Sequence, residues 1–253
     1  QNNSLSGFSL YGSSGNIFEN NLVRNNEERG FILVSGSNNN FFLNNRAENN
    51  GKEGFYIDSS NVLEKNLAVN NNRGFYVWGE NNTLFHNFSH SNTDANALDE
   101  GSNNSWENAA LGEGNWWGDW QAPENTKDSD NDGIYDNPYS FSGNQDNYPL
   151  SLISLISPEN NAYFSENSVQ VKWSTPILEN YTVQVDNDMN FTTPIYENTV
   201  SGIETSFDLR ENISDEVTVP SKDTYYWRVK GETDGPFQTP WTGVRTFTMP
   251  EEE

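Results

Sequence analysis

The chain has no cysteine, two histidines and two methionines in 253 residues. A disulfide framework, a thiolate metal site and a thiol nucleophile are therefore excluded, and soft copper ligation is close to excluded. Basic residues are scarce: 13 against 37 acidic, a net charge of −24. Nucleic acid and anionic membrane both require basic surface, so neither is expected as a partner. No apolar run approaches the roughly 20 residues of a membrane span. The longest candidate, LSLISLIS at 150–157, is far shorter, and no membrane insertion is expected of this segment. The chain opens at Gln1 without an initiator methionine or a signal peptide, which reads as a processed piece of a longer polypeptide.

What is abundant is asparagine, 41 residues, and it is periodic. One column runs Asn16, Asn40, Asn61, Asn82, Asn103; a second, five residues on, runs Asn21, Asn45, Asn66, Asn87, Asn108. A third runs Asn26, Asn50, Asn71, Asn92, with Glu113 in the fifth slot. Between them lie a small-residue column (Val23, Ala47, Ala68, Ser89, Ala110) and a bulky one (Phe18, Phe42, Leu63, Leu84, Ser105). Gly-Phe pairs at 7–8, 30–31, 54–55 and 74–75 precede alternating stretches such as GFYID and GFYVW. Alternation at period two means strands. Repeats of about 21 residues with three short strands mean a parallel β-solenoid, in which each column becomes a ladder of buried, mutually bonded amides.

These coils resemble the right-handed parallel β-helix of NosD-type and pectate-lyase-like proteins. GNWWGDW (114–120), DSDNDGIYDNPYSF (128–141) and DNYPL (146–150) resemble the C-terminal signature of NosD-type surface proteins, common in archaea. The resemblance covers about residues 1–152. It brings neither the copper ligands nor a catalytic set. Asp58, Glu64 and Asp99 form no column, and no catalytic residue is expected.

DSDNDGIYD matches the first nine positions of a calcium loop, with Asp128, Asp130, Asp132, Ile134 (through its carbonyl) and Asp136 as ligands and Gly133 at the turn. Tyr139 stands where a bidentate Glu would close the site, and Asp146 is the candidate for the remaining carboxylate. Four unneutralised aspartates in nine residues would repel one another, so calcium is expected, in a structural role, as a joint between two modules.

From residue 155 the ladders stop and short alternating strands follow. SVQVKWS (168–174), YTVQVDN (181–187) and TYYWRVKG (224–231) resemble a fibronectin type III domain, with Trp173, Tyr225 and Trp227 as core aromatics and Trp241 exposed in a proline-flanked loop. The expected fold is thus all-β: a right-handed parallel β-helix (1–120), a calcium-loop closure and joint (121–152), and an immunoglobulin-like (fibronectin type III) β-sandwich (153–250).

The residues alternating with the core after each Gly-Phe should face outward: Tyr11, Ile32, Val34, Tyr56, Asp58, Tyr76 and Trp78. Such a strip fits a partner contact or sugar stacking. Of seven N-x-S/T sequons, Asn180, Asn190 and Asn212 are the expected glycosylation sites, whereas Asn87 and Asn103 are expected to be bare because their side chains are committed to the ladder. The function expected is a non-enzymatic, extracellular structural component of a cell-surface layer, sheath or filament. Its partners would be copies of itself or other surface proteins, stacked on the open N-terminal coil. A carbohydrate-binding or polysaccharide-processing surface protein is the alternative. A glycopeptide map should show unmodified Asn87; sugar there would overturn the ladder assignment.

Overall fold

The computed structural model describes residues 4–120, 128, 133–151, 153, 155–164, 169–173, 180–201, 206–208, 224–232, 238–239 and 241–249. Every regular element among them is a strand. The chain divides into two compact units, residues 1–129 with 134–150, and residues 130–133 with 151–253. Residues 134–150 thus pack as part of the first unit rather than in a separate joint over 121–152.

In the first unit, β1 (Phe8–Tyr11), β2 (Ile17–Glu19) and β3 (Leu22–Arg24) make one coil. The next three coils are β4 (Phe31–Val34), β5 (Phe41–Leu43) and β6 (Arg46–Glu48); β7 (Glu53–Ile57), β8 (Val62–Glu64) and β9 (Leu67–Val69); and β10 (Arg73–Val77), β11 (Thr83–Phe85) and β12 (Phe88–His90). A fifth begins with β13 (Ala95–Asp99) and β14 (Trp116–Trp117). Three parallel sheets result, ordered β1-β4-β7-β10-β13, β2-β5-β8-β11 and β3-β6-β9-β12-β14. Phe31 pairs with Phe55 and Phe55 with Phe75, so like residues stack. Their rings lie 4.9 Å apart at each step, nearly parallel, and all three are fully buried. The glycine before each phenylalanine is required by crowding. A Cβ on Gly30 would stand 2.5 Å from the Gly54 carbonyl oxygen.

The asparagine columns are hydrogen-bonded ladders. The Asn66 Oδ1 accepts both the backbone N–H and the side-chain N–H of Asn45, at 2.9 and 3.0 Å. Its own Nδ2 donates to Asn87 Oδ1, to Phe42 O of the preceding coil and to Glu64 O. The amide is fully satisfied although it is completely buried. A carboxylate there would lose every donor, and a hydrocarbon would strand its neighbours. Each ladder residue from Asn21 to Asn104 follows a residue with φ between 53° and 59°. Eight of those twelve preceding residues are asparagines, the L residue that best tolerates the left-handed region. The recurring Asn-Asn doublets are therefore two jobs side by side: the first residue turns the corner, the second joins the ladder.

The doublet rule corrects the fifth row. Asn103 turns the corner (φ 55°) and is exposed, while Asn104 takes the ladder place, its Oδ1 accepting from Asn82 N and Nδ2 at 2.8 and 3.0 Å. Asn108 is not in the second ladder either. Asn87 donates to Asn115, 28 residues on, because residues 107–113 leave the coil in a turn closed on the Asn108 carbonyl. Inside, Trp117 pairs with Ser89 where Ala110 was expected. Ser105 pairs with Thr83, so Trp106, not Ser105, follows Leu84 in the core. Glu113 is outside the third ladder and hydrogen-bonds His86 Nε2 at 2.9 Å.

The first unit ends in a hairpin, β15 (Tyr139–Phe141) with β16 (Asn144–Asp146), joined to β13 through a bridge between Leu98 and Ser142. The second unit holds two sheets. β17 (Leu155–Ser157), β19 (Gln170–Trp173) and β22 (Ser206–Asp208) form one. β18 (Ala162–Tyr163), β24 (Arg245–Thr248), β23 (Thr224–Glu232), β20 (Asn180–Asp186) and β21 (Tyr196–Ser201) form the other, in that order. Trp173, Tyr181, Tyr225, Trp227 and Phe247 are the most deeply buried of its aromatics. Trp241, expected to be exposed in its loop, is half-buried: Arg228 lies 4.4 Å and Lys230 5.2 Å from its ring, and Arg228 also covers Phe191.

Asn66→Ala should lower unfolding free energy by about 2–5 kcal/mol in urea titration, because it orphans buried donors and acceptors on two coils. At the neighbouring corner both Asn44→Gly and Asn44→Ala remove an exposed bond from Asn44 Nδ2 to Asn20 Oδ1, and Asn44→Ala should cost about 1 kcal/mol more than Asn44→Gly, through the left-handed backbone.

Candidate functional site

The ladders must stop somewhere, and two of them stop on buried aspartates. Asn115 N donates to Asp146 Oδ2 at 2.7 Å, with Asn115 Nδ2 at 3.4 Å, which is the geometry of an ordinary ladder step. Trp117 Nε1 and Tyr148 N complete four donors on this carboxylate. Asp99 closes the first ladder: it accepts from Asn104 Nδ2, Gly101 N, Trp106 Nε1 and Asn144 Nδ2. Trp106 and Trp117 thus fill the core with their rings and bond the terminal carboxylates with their indole N–H groups. Asp146 is wholly buried, with its carboxylate at the end of the ladder. Burial pushes its pKa up to about 7, against the lowering effect of its donors.

On the outer face of the first sheet, Ile32, Tyr56 and Tyr76 stand in one register column, and Tyr56 meets Tyr76 edge-on at 5.0 Å. The expected aromatic strip exists, but its ring faces are taken. The Arg29 guanidinium lies 4.4 Å from the Tyr56 centroid and that of Arg73 5.7 Å from Tyr76. Both arginines reach the buried carboxylate of Glu53, at 2.6 and 3.5 Å. Arg73 also pairs with Asp94 at 2.6 Å. Tyr76 donates its hydroxyl to Glu100, the main reason its pKa is pushed up to about 12. Ile32 and Val34 are half-buried, Trp78 is 38% exposed and Tyr11 77%. Asp58 breaks the outward pattern. It is buried and accepts Gly36 N, Ser37 N and Ser59 N.

Residues 1–110 match the family described as "Right handed beta helix region". With the three stacked parallel sheets, that stretch is a right-handed parallel β-helix. No curated protein and no solved structure matches the chain.

Beyond the β-helix, only part of the expected calcium loop is described. Asp130 and Asp132 lie outside the described residues. Asp128 and Ile134 are half-buried and Asp136 is exposed. Ile134 bridges antiparallel to Leu150, with Tyr135 N bonded to Pro149 O at 2.9 Å. Gly133 has φ 94°, the conformation its turn position needs. Among the expected glycosylation sites, Asn190 is exposed in a turn held by Asp188, Asn180 opens β20 half-buried, and Asn212 lies outside the described residues.

The Asp146 pKa is raised from its ordinary value of 3.8 to about 7 in the folded state. The folded chain therefore holds this proton more tightly than the unfolded one, and stability from this group falls as pH rises from about 4 to about 7. Urea midpoints should decline over that interval, and Asp146→Asn should flatten this part of the profile. An unchanged slope in the variant would assign the titration elsewhere.

Proposed function

We propose that the chain is a non-enzymatic structural protein of an extracellular cell surface, a component of a layer, sheath or filament. In this reading the β-helix is of the NosD type found in archaea, the second unit is a fibronectin type III-like domain, and calcium holds the loop at 128–136. The observation that carries the reading is how the ionisable groups of the β-helix are used. Asp58, Asp99 and Asp146 are spent on backbone and ladder donors. Glu48 is spent on Arg46 of its own strand and Arg24 of the preceding coil, and Glu53 on Arg29 and Arg73. The carboxylates work as cohesion between coils rather than as a reacting pair, which a glycoside-cleaving site would need on an open face.

The partner favoured is another coil. The strands of the first coil, β1, β2 and β3, pair on one side only among the described residues, and Phe8, Tyr11, Ile17 and Leu22 are exposed there. A further coil, of this polypeptide, of a second copy or of a related surface protein, would cover such an edge. The calcium reading rests on the spacing of Asp128, Asp130, Asp132 and Asp136. It is supported by the Ile134 pairing, in which the bonds run through the flanking residues and the Ile134 carbonyl is directed away from Leu150. Carbohydrate binding along the outer strip is favoured by the exposed Trp78 and Tyr11 alone, since the Tyr56 and Tyr76 faces carry arginines.

Negative-stain microscopy with sedimentation velocity tests the assembly. Rods that lengthen with concentration, and are shortened by Ile17→Lys, are expected; monodisperse short particles at every concentration would sink the polymer. Isothermal titration should show calcium binding that Asp130→Asn weakens, and chelation should lower the unfolding temperature. Absence of heat at millimolar calcium would remove the ion from the proposal.

A further inference from the structure

The dipeptide Asn-Gly occurs once in the chain, at Asn50-Gly51, and the fold requires both halves of it. Asn50 belongs to the third ladder. Its Oδ1 accepts the backbone and side-chain N–H of Asn26 at 3.2 and 2.8 Å, and its Nδ2 donates to Asn71 Oδ1 at 2.9 Å. A Cβ on Gly51 would stand 2.1 Å from the Glu27 carbonyl oxygen, so the position admits no side chain. Elsewhere in this ladder Asn26, Asn71 and Asn92 are followed by Glu27, Asn72 and Thr93, whose side chains crowd their own backbone nitrogens. Gly51 has nothing to shield its nitrogen from the amide before it.

We infer that Asn50-Gly51 is a latent deamidation site, closed while its coils are stacked and opened when they separate. The reaction joins the Gly51 backbone nitrogen to Asn50 Cγ. The Cγ–Nδ2 bond breaks, and Nδ2 leaves as ammonia with the proton that Gly51 gives up. One water then opens the cyclic imide, to aspartate if the Cγ–N bond is cut and to isoaspartate if the bond to the Asn50 carbonyl carbon is cut. In the folded chain both reacting groups are held. Gly51 N donates to Asn26 O at 2.8 Å, and the Asn50 amide, 3% exposed, would have to leave Asn26, Asn71 and Val23 to meet that nitrogen. Gly51 itself is exposed, so water and base reach the pair once those bonds open. The product cannot return to its place. A carboxylate oxygen would stand where Nδ2 now donates to Asn71 Oδ1 and Val23 O, oxygen against oxygen. Separation of these coils is thereby made irreversible by a covalent change at one residue. The site is independent of the role proposed above.

Peptide mass spectrometry with isoaspartate detection tests it, on the whole chain incubated at mildly alkaline pH with and without denaturing urea. Conversion at Asn50 should be at least about ten-fold faster in urea, the factor that about 1.4 kcal/mol of opening supplies. Asn71, followed by Asn72 in the same ladder, is the internal reference and should convert more slowly than Asn50 in urea. Asn50→Asp, which installs the product, should unfold at a lower urea concentration than the parent or show no cooperative transition. Equal rates at Asn50 with and without urea would overturn the inference. So would conversion of Asn71 as fast as Asn50 in urea, or a urea midpoint of Asn50→Asp equal to the parent's.

Discussion

The structure of the first unit depends on one repeated bond, from an asparagine backbone N–H and side-chain N–H to the side-chain oxygen one coil further on. The primary amide is the smallest side chain that accepts on one atom and donates on the other, so the same residue can serve every coil. The bond sits at corners, where a backbone leaving one sheet for the next would otherwise bury unpaired polar groups. Because it links coil to coil at three places, it also fixes register. Phenylalanine falls on phenylalanine, and a core made of short three-residue strands becomes well packed.

Everything near the C-terminal end follows from having to end such a bond. Asp99 and Asp146 accept four donors each. Desolvating a carboxylate is tolerable there because N–H groups replace its water. The indole groups of Trp106 and Trp117 are among those donors, which explains why the closing segment needs tryptophan rather than another large hydrocarbon. A chain of net charge −24 can thus fold around few basic residues. Among the described residues of the β-helix, the buried carboxylates are held by hydrogen bonds and by a handful of arginines.

The repeat was legible in the sequence wherever the three asparagine columns kept a common step, 24 residues into the second coil and 21 after it, and the solenoid and its ladders could be read from that spacing. The fifth coil could not be read by extrapolating that spacing. Its steps are 22 and 28 residues, so Asn103, Asn108, Ser105 and Ala110 were assigned places held by Asn104, Asn115, Trp106 and Trp117. The doublets carried the missing signal, since the second asparagine of each pair makes the ladder. The buried role of Asp146 had no comparable signal; an aspartate 31 residues beyond its partner looks like any acidic turn residue. Likewise, alternation found the outer aromatic strip but not the arginines that cover it, because Arg29 and Arg73 reach Glu53 from different coils.

The change from amide to carboxylate at Asp146 has a bearing on how such a chain can change in evolution. An amide ladder reads the same at every step, so a whole coil can be inserted or removed without altering any contact type along it. The carboxylate cannot be copied in that way, for a second one in the stack would face an oxygen with an oxygen. Length is therefore free to vary by whole coils ahead of Asp99, while Asp99, Asn115 and Asp146, with the Trp106 and Trp117 donors, form one terminator.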